Sequence, residues 1–150
     1  MTERTLPPLS ELLPHGPPMR LIDRVIARTP DGIVCDATVS ASGVFTESGE
    51  VPAAICLEYI AQACAAFVGL DARARAEPVR PGYLLACRSL DLSVDTLRVG
   101  DRVEVRVTRT SSAAAASSFS GEVVRRGTTI ARGQVSVVLD GEAEADESSA

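Results

Sequence analysis

The most constraining feature of this chain is an apolar run of twenty residues, 51–70. It lacks the alternation of a strand and is rich in alanine, which favours a helix. Pro52 suits the first helical turn, and Gly69 with the charged stretch DARARAEP marks the end. Glu58 lies near its middle, where a carboxylate costs about 2.5–3.5 kcal/mol on membrane-insertion scales. We therefore predict a buried helix of a soluble protein and no membrane span.

The remaining segments are short and extended, with alternation typical of half-buried strands, as in Arg102 to Arg109. A helical turn is expected at 9–14 and a loop at 40–51. Because only one helix is available to cover an antiparallel sheet, the sheet must curl around it, giving an α+β fold whose edge strands can pair across a dimer. The predicted strands are Met19–Ala27, Ile33–Val39, 83–94, Arg102–Arg109, 114–125 and 128–139, with turns at 30–32, 99–101 and 126–127.

Charge divides the chain into a neutral body and an acidic tail. The formal net charge is −5, and five carboxylates within residues 140–150 account for all of it. We predict one domain at 1–139 and an acidic, disordered tail at 140–150. A neutral body without interleaved basic and aromatic residues argues against nucleic acid as a partner. The N-terminus has no apolar signal core, so a cytoplasmic location is expected.

Cysteine and histidine are too scattered to suggest a metal site. The four cysteines form no CxxC pair, and we expect buried free thiols in a reducing compartment. His15 is the only histidine, so no metal centre is predicted.

Glu58 and Gln62 are the polar residues of the apolar run besides Tyr59, and their i, i+4 spacing places them on one helix face. An apolar environment favours the protonated form of a carboxyl group, which could then act as a general acid. Gln62 could orient it by a hydrogen bond. The alternative is a carboxylate that caps a neighbouring loop or faces solvent.

Other candidate groups lie around this helix. His15, in the proline-framed segment PHGPPM, is suited to proton abstraction near neutral pH, although a surface loop histidine is the simpler interpretation. The N–H groups at the helix start, near Ala53 and Ala54, could bind an oxyanion. Four arginines could dock a phosphate or an acidic protein, or could simply be solvated: Arg73, Arg75, Arg80 and Arg88.

Three stretches together resemble a known family. LLPHGPPMRLIDRV resembles the opening segment of hot-dog-fold 3-hydroxyacyl-[acyl-carrier-protein] dehydratases, and VPAAICLEYIAQACAAFVGL resembles their central helix, with its L-E-x-x-A-Q-A pattern. PVRPGYLLACRSL is similar to the strand that follows. The resemblance covers roughly residues 10–95, and the LEYIAQA version is most similar to the branch associated with aryl polyene pathways.

The resemblance implies that Glu58 is the catalytic helix acid and Gln62 its supporting glutamine. It implies dehydration of a 3-hydroxyacyl thioester to the trans-2-enoyl thioester, with acyl carrier protein as partner, no cofactor, and a homodimer or a heterodimer with another hot-dog subunit. The family's usual GHFP histidine is missing from the loop before the helix, SGVFTESGEVP. Either His15 has taken that role, or the chain is a non-dehydrating relative such as a thioesterase, or a silent partner subunit.

Overall fold

The computed structural model describes residues 6–13, 20–40, 48–77, 82–112 and 116–139. His15, Arg80 and the acidic segment 140–150 lie outside these ranges. The helices are α1 (Leu9–Leu12) and α2 (Ile55–Ala74), and the strands are β1 (Arg24–Thr29), β2 (Gly32–Thr38), β3 (Glu50–Pro52), β4 (Gly82–Leu92), β5 (Thr96–Arg98), β6 (Arg102–Ser112), β7 (Ala116–Arg125) and β8 (Thr128–Leu139).

Six strands form one antiparallel sheet in the order β1-β2-β6-β7-β8-β4, so β1 and β4 are its edges. The predicted hairpin between β1 and β2 is present, with Thr29 opposite Gly32. A separate two-stranded sheet joins β3 to β5. The α+β arrangement of one long helix packed against an antiparallel sheet is confirmed.

Alternation along the strands turns one face of the sheet toward α2. In β6, Val103, Val105 and Val107 are buried, whereas Arg102 and Arg106 are exposed on the opposite face. The helix packs against the face that carries these valines, and its buried residues include Ile60, Ala63 and Phe67. The hydrophobic core is therefore the layer between the sheet and the helix.

Helix α2 packs tightly enough onto the sheet that glycine is required beneath it. A Cβ atom added to Gly121 would lie 2.6 Å from Cγ2 of Ile60. By length and composition this helix could cross a membrane, but 67% of its apolar window is buried inside the protein. Packing against the sheet accounts for its apolar character, as predicted.

The predicted start of the helix was wrong, whereas its end falls within the charged stretch 71–78 that was predicted to mark it. Pro52 belongs to β3 rather than to the first helical turn, because β3 pairs with β5 and the N–H of Ala53 donates to the carbonyl of Asp95 at 2.9 Å. At the other end the helix continues past Gly69 to Ala74. That glycine serves a close contact with Leu12, not a helix end.

The first strand begins later than expected. Residues 20–23 are not part of β1, because the backbone N–H groups of Leu21 and Ile22 donate to the side chain of Gln62. The N–H of Asp23 donates to the carbonyl of Asp36 on β2, and regular pairing with β2 runs from Arg24 onward.

The cysteine prediction is confirmed for three of the four residues. Cys35, Cys56 and Cys64 are buried free thiols, whereas Cys87 is exposed. Cys87 lies on β4, the edge strand of the sheet, which leaves it open to solvent in the single chain.

Candidate active site

Gln62 is the centre of a hydrogen-bond network on one face of α2. Its side chain is 1% exposed, and its Nε2 donates to Oε1 of Glu58 at 3.0 Å. The predicted hydrogen bond between Gln62 and Glu58 is therefore present. The i, i+4 spacing brings the two side chains together on the helix surface.

The orientation of the Gln62 amide is fixed from the other side. Its Oε1 accepts from the N–H of Leu21 at 2.7 Å and, more weakly, from the N–H of Ile22 at 3.4 Å. Because the oxygen takes backbone donors, the nitrogen must face the carboxylate. Oε1 of Glu58 is thus held as an acceptor, and Oε2 has no partner among the described residues.

Glu58 is half-buried in the single chain. We expected a carboxyl group kept dry by the enclosing sheet, and the single chain shields it only in part. The described residues place Gln62 as its hydrogen-bond partner and leave one side of the carboxylate accessible. An acid that is both anchored and accessible can exchange a proton with a bound molecule.

Whether His15 joins Glu58 lies outside the described residues, but both ends of its segment are anchored on α2. On the N-terminal side of the segment, the backbone of Leu12 packs closely on Gly69, where an added Cβ would lie 2.8 Å from the carbonyl oxygen of Leu12. After the segment, Leu21 donates to Gln62. Residues 62 and 69 are one heptad apart and share a helix face. The chain between the anchors is therefore tied at both ends to the face that carries Gln62.

The start of α2 differs from the prediction. The N–H of Ala53 is already used by the carbonyl of Asp95, so Ala53 is wrong as an oxyanion donor. In the first turn, Cys56 and Leu57 donate to the carbonyls of Ala53 and Ala54. The N–H groups of Ala54 and Ile55 have no acceptor among the described residues and remain the candidates at this end.

The neighbouring side chains of α2 are poor nucleophiles or bases. Burial raises the pKa of the Cys56 thiol to about 11, and burial likewise raises the pKa of the Tyr59 phenol to about 12. Burial also raises the pKa of Cys64. These groups stay protonated near neutral pH, which argues against thiolate chemistry on this helix.

The predicted arginines do not gather around Glu58. Arg73 pairs with Glu11, and Arg75 lies 3.1 Å from Asp71, so both are engaged near the far end of α2. Fifteen residues of helix separate Arg73 from Glu58, about 22 Å along the axis. Arg88 is exposed on β4 and has no ion pair among the described residues, and Arg80 lies outside them.

Two arginines that the sequence did not single out lie near the same end. The guanidinium carbons of Arg28 and Arg109 lie 5.7 and 5.1 Å from the centre of the Phe67 ring. Both guanidinium groups approach Asp71, at 3.8 and 3.9 Å. No sequence pattern joins β1, β6 and α2 in this way, since only the fold brings them together. Within the described part of the chain, no cluster of three or more His, Cys, Asp or Glu residues could hold a metal.

Comparison with known proteins gives a family match over nearly the whole chain. The family model described as "ApeP-like: ApeP dehydratase" matches residues 7–147. A search of curated protein sequences finds no match.

Solved structures share the fold. The dehydratase heterocomplex ApeI:P from Xenorhabdus doucetiae contains a chain that is 28% identical, with a TM-score of 0.86 over 96% of this chain and 97% of that one. The TT0310 protein from Thermus thermophilus is 23% identical, with a TM-score of 0.57 over 77% and 89%. A hypothetical thioesterase with coenzyme A from Streptococcus pneumoniae is 10% identical, with a TM-score of 0.59 over 79% and 85%. The latter two support the hot-dog fold alone.

Proposed function

Because the chain belongs to the ApeP-like dehydratase family, we propose that it dehydrates a 3-hydroxyacyl thioester carried on acyl carrier protein. The product is the trans-2-enoyl thioester, made in an aryl-polyene-type pathway of the cytoplasm. The observation that carries the proposal is the anchored carboxyl group: Glu58, held by Gln62 through Oε1 with Oε2 free among the described residues.

In the proposed reaction, Glu58 is the general acid. The protonated carboxyl group donates from Oε2 to the C3 hydroxyl group, which leaves as water. The C3–O bond breaks as the electron pair of the C2–H bond forms the new C2–C3 double bond. The resulting carboxylate keeps its hydrogen bond from Nε2 of Gln62, which stabilises the charge it acquires.

His15 is proposed as the base that removes the C2 proton. It is the chain's only imidazole, and the described residues on both sides of its segment contact α2 beside Gly69 and Gln62. The thioester carbonyl would accept from the N–H groups of Ala54 and Ile55, polarising the C2–H bond. A positioned base and a polarised carbonyl suffice for this elimination, so we propose no cofactor and no metal.

A second candidate is a silent subunit that stabilises an active hot-dog partner. Two observations favour it: the loop before α2 has no histidine, and a similar chain forms part of the ApeI:P dehydratase heterocomplex. The unpaired edges of β1 and β4 offer backbone donors and acceptors for such a partner or for a second copy.

The test is to incubate the purified chain, without a second subunit, with 3-hydroxyacyl-acyl carrier protein and to weigh the carrier-bound product. Loss of one water supports dehydration, and a released free acid indicates a thioesterase. An unchanged acyl group indicates the silent subunit. For the base, His15→Gln should lower the rate by about 10²–10⁴-fold. An undiminished rate would remove His15 from the mechanism.

A further inference from the structure

A groove of about 450 Å³ crosses the outer face of the six-stranded sheet. Register places Asp36 opposite Glu104, and Glu104 opposite Val124, so β2, β6 and β7 contribute neighbouring side chains. The alternate residues of β6, such as Val105, are buried toward α2. The groove therefore lies on the face of the sheet opposite to the helix.

Its charged lining is mainly basic. Four arginines and two carboxylates line it: Arg24, Arg102, Arg106, Arg126, Asp36 and Glu104. The excess is two positive charges, and it remains one when Glu122, 3.5 Å from Arg106, is included. Asp23 and Asp101 also attract Arg24 and Arg126, so the positive excess is confined to the side chains that line the groove.

Two of the four arginines form close ion pairs with carboxylates that line the groove. Arg24 lies 2.7 Å from Asp36, and Arg106 lies 2.8 Å from Glu104. Arg102 and Arg126 are exposed and have no ion pair among the described residues. Their guanidinium donors are available to an incoming carboxylate.

The groove also contains apolar surface. Ile26 is 44% exposed, which makes it one of the most exposed large hydrophobic residues among those described. Val124 lines the same groove and is 7% exposed. Exposed apolar surface at the edge of the groove, beside exposed arginines, is suited to contact with a protein partner.

The position of the groove relates it to Glu58. Arg24 begins the edge strand β1 and closely follows Leu21 and Ile22, whose N–H groups bind Gln62. A partner seated in the groove would thus lie beside the sheet edge next to the Glu58–Gln62 pair. Arg73, in contrast, lies about 22 Å along α2 from Glu58.

We propose that an acidic protein surface docks in this groove. This inference rests on the proposed function, which makes the acidic protein the acyl carrier protein. The carrier protein is held in the groove while its acyl group reaches Glu58 around the edge of β1. Arg102 and Arg126 supply the attraction, and Ile26 supplies the apolar contact.

The experiment measures the dissociation constant of 3-hydroxyacyl-acyl carrier protein from full-length protein at two salt concentrations. Arg102→Ala/Arg126→Ala should weaken binding by about tenfold, as expected for two exposed interface charges, and flatten its salt dependence. Arg102→Lys/Arg126→Lys should restore most of the affinity. The matched control, Arg98→Ala/Arg132→Ala, removes the same charge from exposed arginines that do not line the groove.

Equal weakening in the control double variant would overturn the proposal, because net charge alone would then explain it. Loss of affinity on Arg73→Ala/Arg75→Ala, with none on the groove variant, would place the docking surface at the far end of α2 instead. The readout is binding, so it remains decisive if no water is eliminated: an absent product contradicts the proposed function, whereas an unchanged dissociation constant contradicts the docking surface.

Discussion

At the scale of residues, the site depends on a single amide. Gln62 bonds the backbone of Leu21 with one atom and the carboxylate of Glu58 with the other, so it couples the N-terminal segment to the acid. The sequence predicted that Glu58 and Gln62 share a face, because i, i+4 spacing is a property of the helix. It did not predict the backbone partners, since any N–H group in the chain could have met the amide oxygen.

Replacing Gln62 tests this coupling. Gln62→Leu leaves the part-buried N–H of Leu21 without its acceptor, and we expect a loss of about 1–3 kcal/mol in the free energy of unfolding. The rate of dehydration should fall as well, because the carboxyl group loses its anchor. Urea unfolding and a carrier-protein assay measure the two effects.

The control for Gln62 is the same chemical change at the surface. Gln134 is exposed and donates to Ser120 on the neighbouring strand. Gln134→Leu should change stability by less than about 0.5 kcal/mol. Equal effects of the two substitutions would show that the buried network has no special role.

Among the elements, the contact between α1 and α2 depends on Gly69, which lies against the backbone of Leu12. The sequence suggested that Gly69 ends the helix, but glycine there meets the backbone of Leu12. A contact between residues far apart in sequence leaves no local pattern, so a glycine needed for such a contact looks the same in the sequence as one that ends a helix. The β3–β5 pairing was missed for the same reason, because strands of three residues carry little periodicity.

Gly69→Ala should therefore destabilise the protein, although replacing glycine by alanine usually stabilises a helix. In an unobstructed helix it stabilises by about 1 kcal/mol. Here the new Cβ would lie 2.8 Å from a backbone oxygen that cannot rotate away, and we expect destabilisation of about 1–3 kcal/mol. Thermal unfolding measures it, with Ala72→Gly as the reference for ordinary helix propensity. A more stable Gly69→Ala protein would mean that α1 does not pack on the helix.

At the scale of the whole molecule, the sequence predicted the architecture because one apolar helix and many alternating segments allow few arrangements. Five of the extended segments became strands close to their predicted places, and the first began late because Leu21 and Ile22 bind α2 instead. The groove on the outer face could not be predicted, since its arginines come from β1, β6 and the β7–β8 turn. Charge along a sequence does not reveal which charges meet across a sheet.

The buried core predicts how stability depends on pH. Burial raises the pKa of Cys35 to about 12, of Cys56 to about 11 and of Tyr59 to about 12, from ordinary values of 9.0, 9.0 and 10.0. Above about pH 9 the unfolded chain loses these protons while the folded chain keeps them, so the free energy of unfolding falls as pH rises. Each such group contributes a slope of up to about 1.4 kcal/mol per pH unit.

Urea unfolding at several pH values from 7 to 11 measures that slope. Cys35→Ala should reduce the slope by the contribution of one buried group. Cys87→Ala, which removes an exposed thiol, serves as the control. Stability that stays constant up to pH 11 would contradict the burial of these side chains.

The role of Glu58 as the general acid is tested by the product that Glu58→Gln forms, compared with Glu77→Gln, which removes an exposed carboxylate just beyond the same helix. Mass spectrometry of 3-hydroxyacyl-acyl carrier protein after incubation measures elimination of water. We predict that Glu58→Gln lowers the rate by about 10²–10⁴-fold while Glu77→Gln matches the unchanged protein. Elimination that continues undiminished in Glu58→Gln would contradict the assignment of Glu58 as the acid.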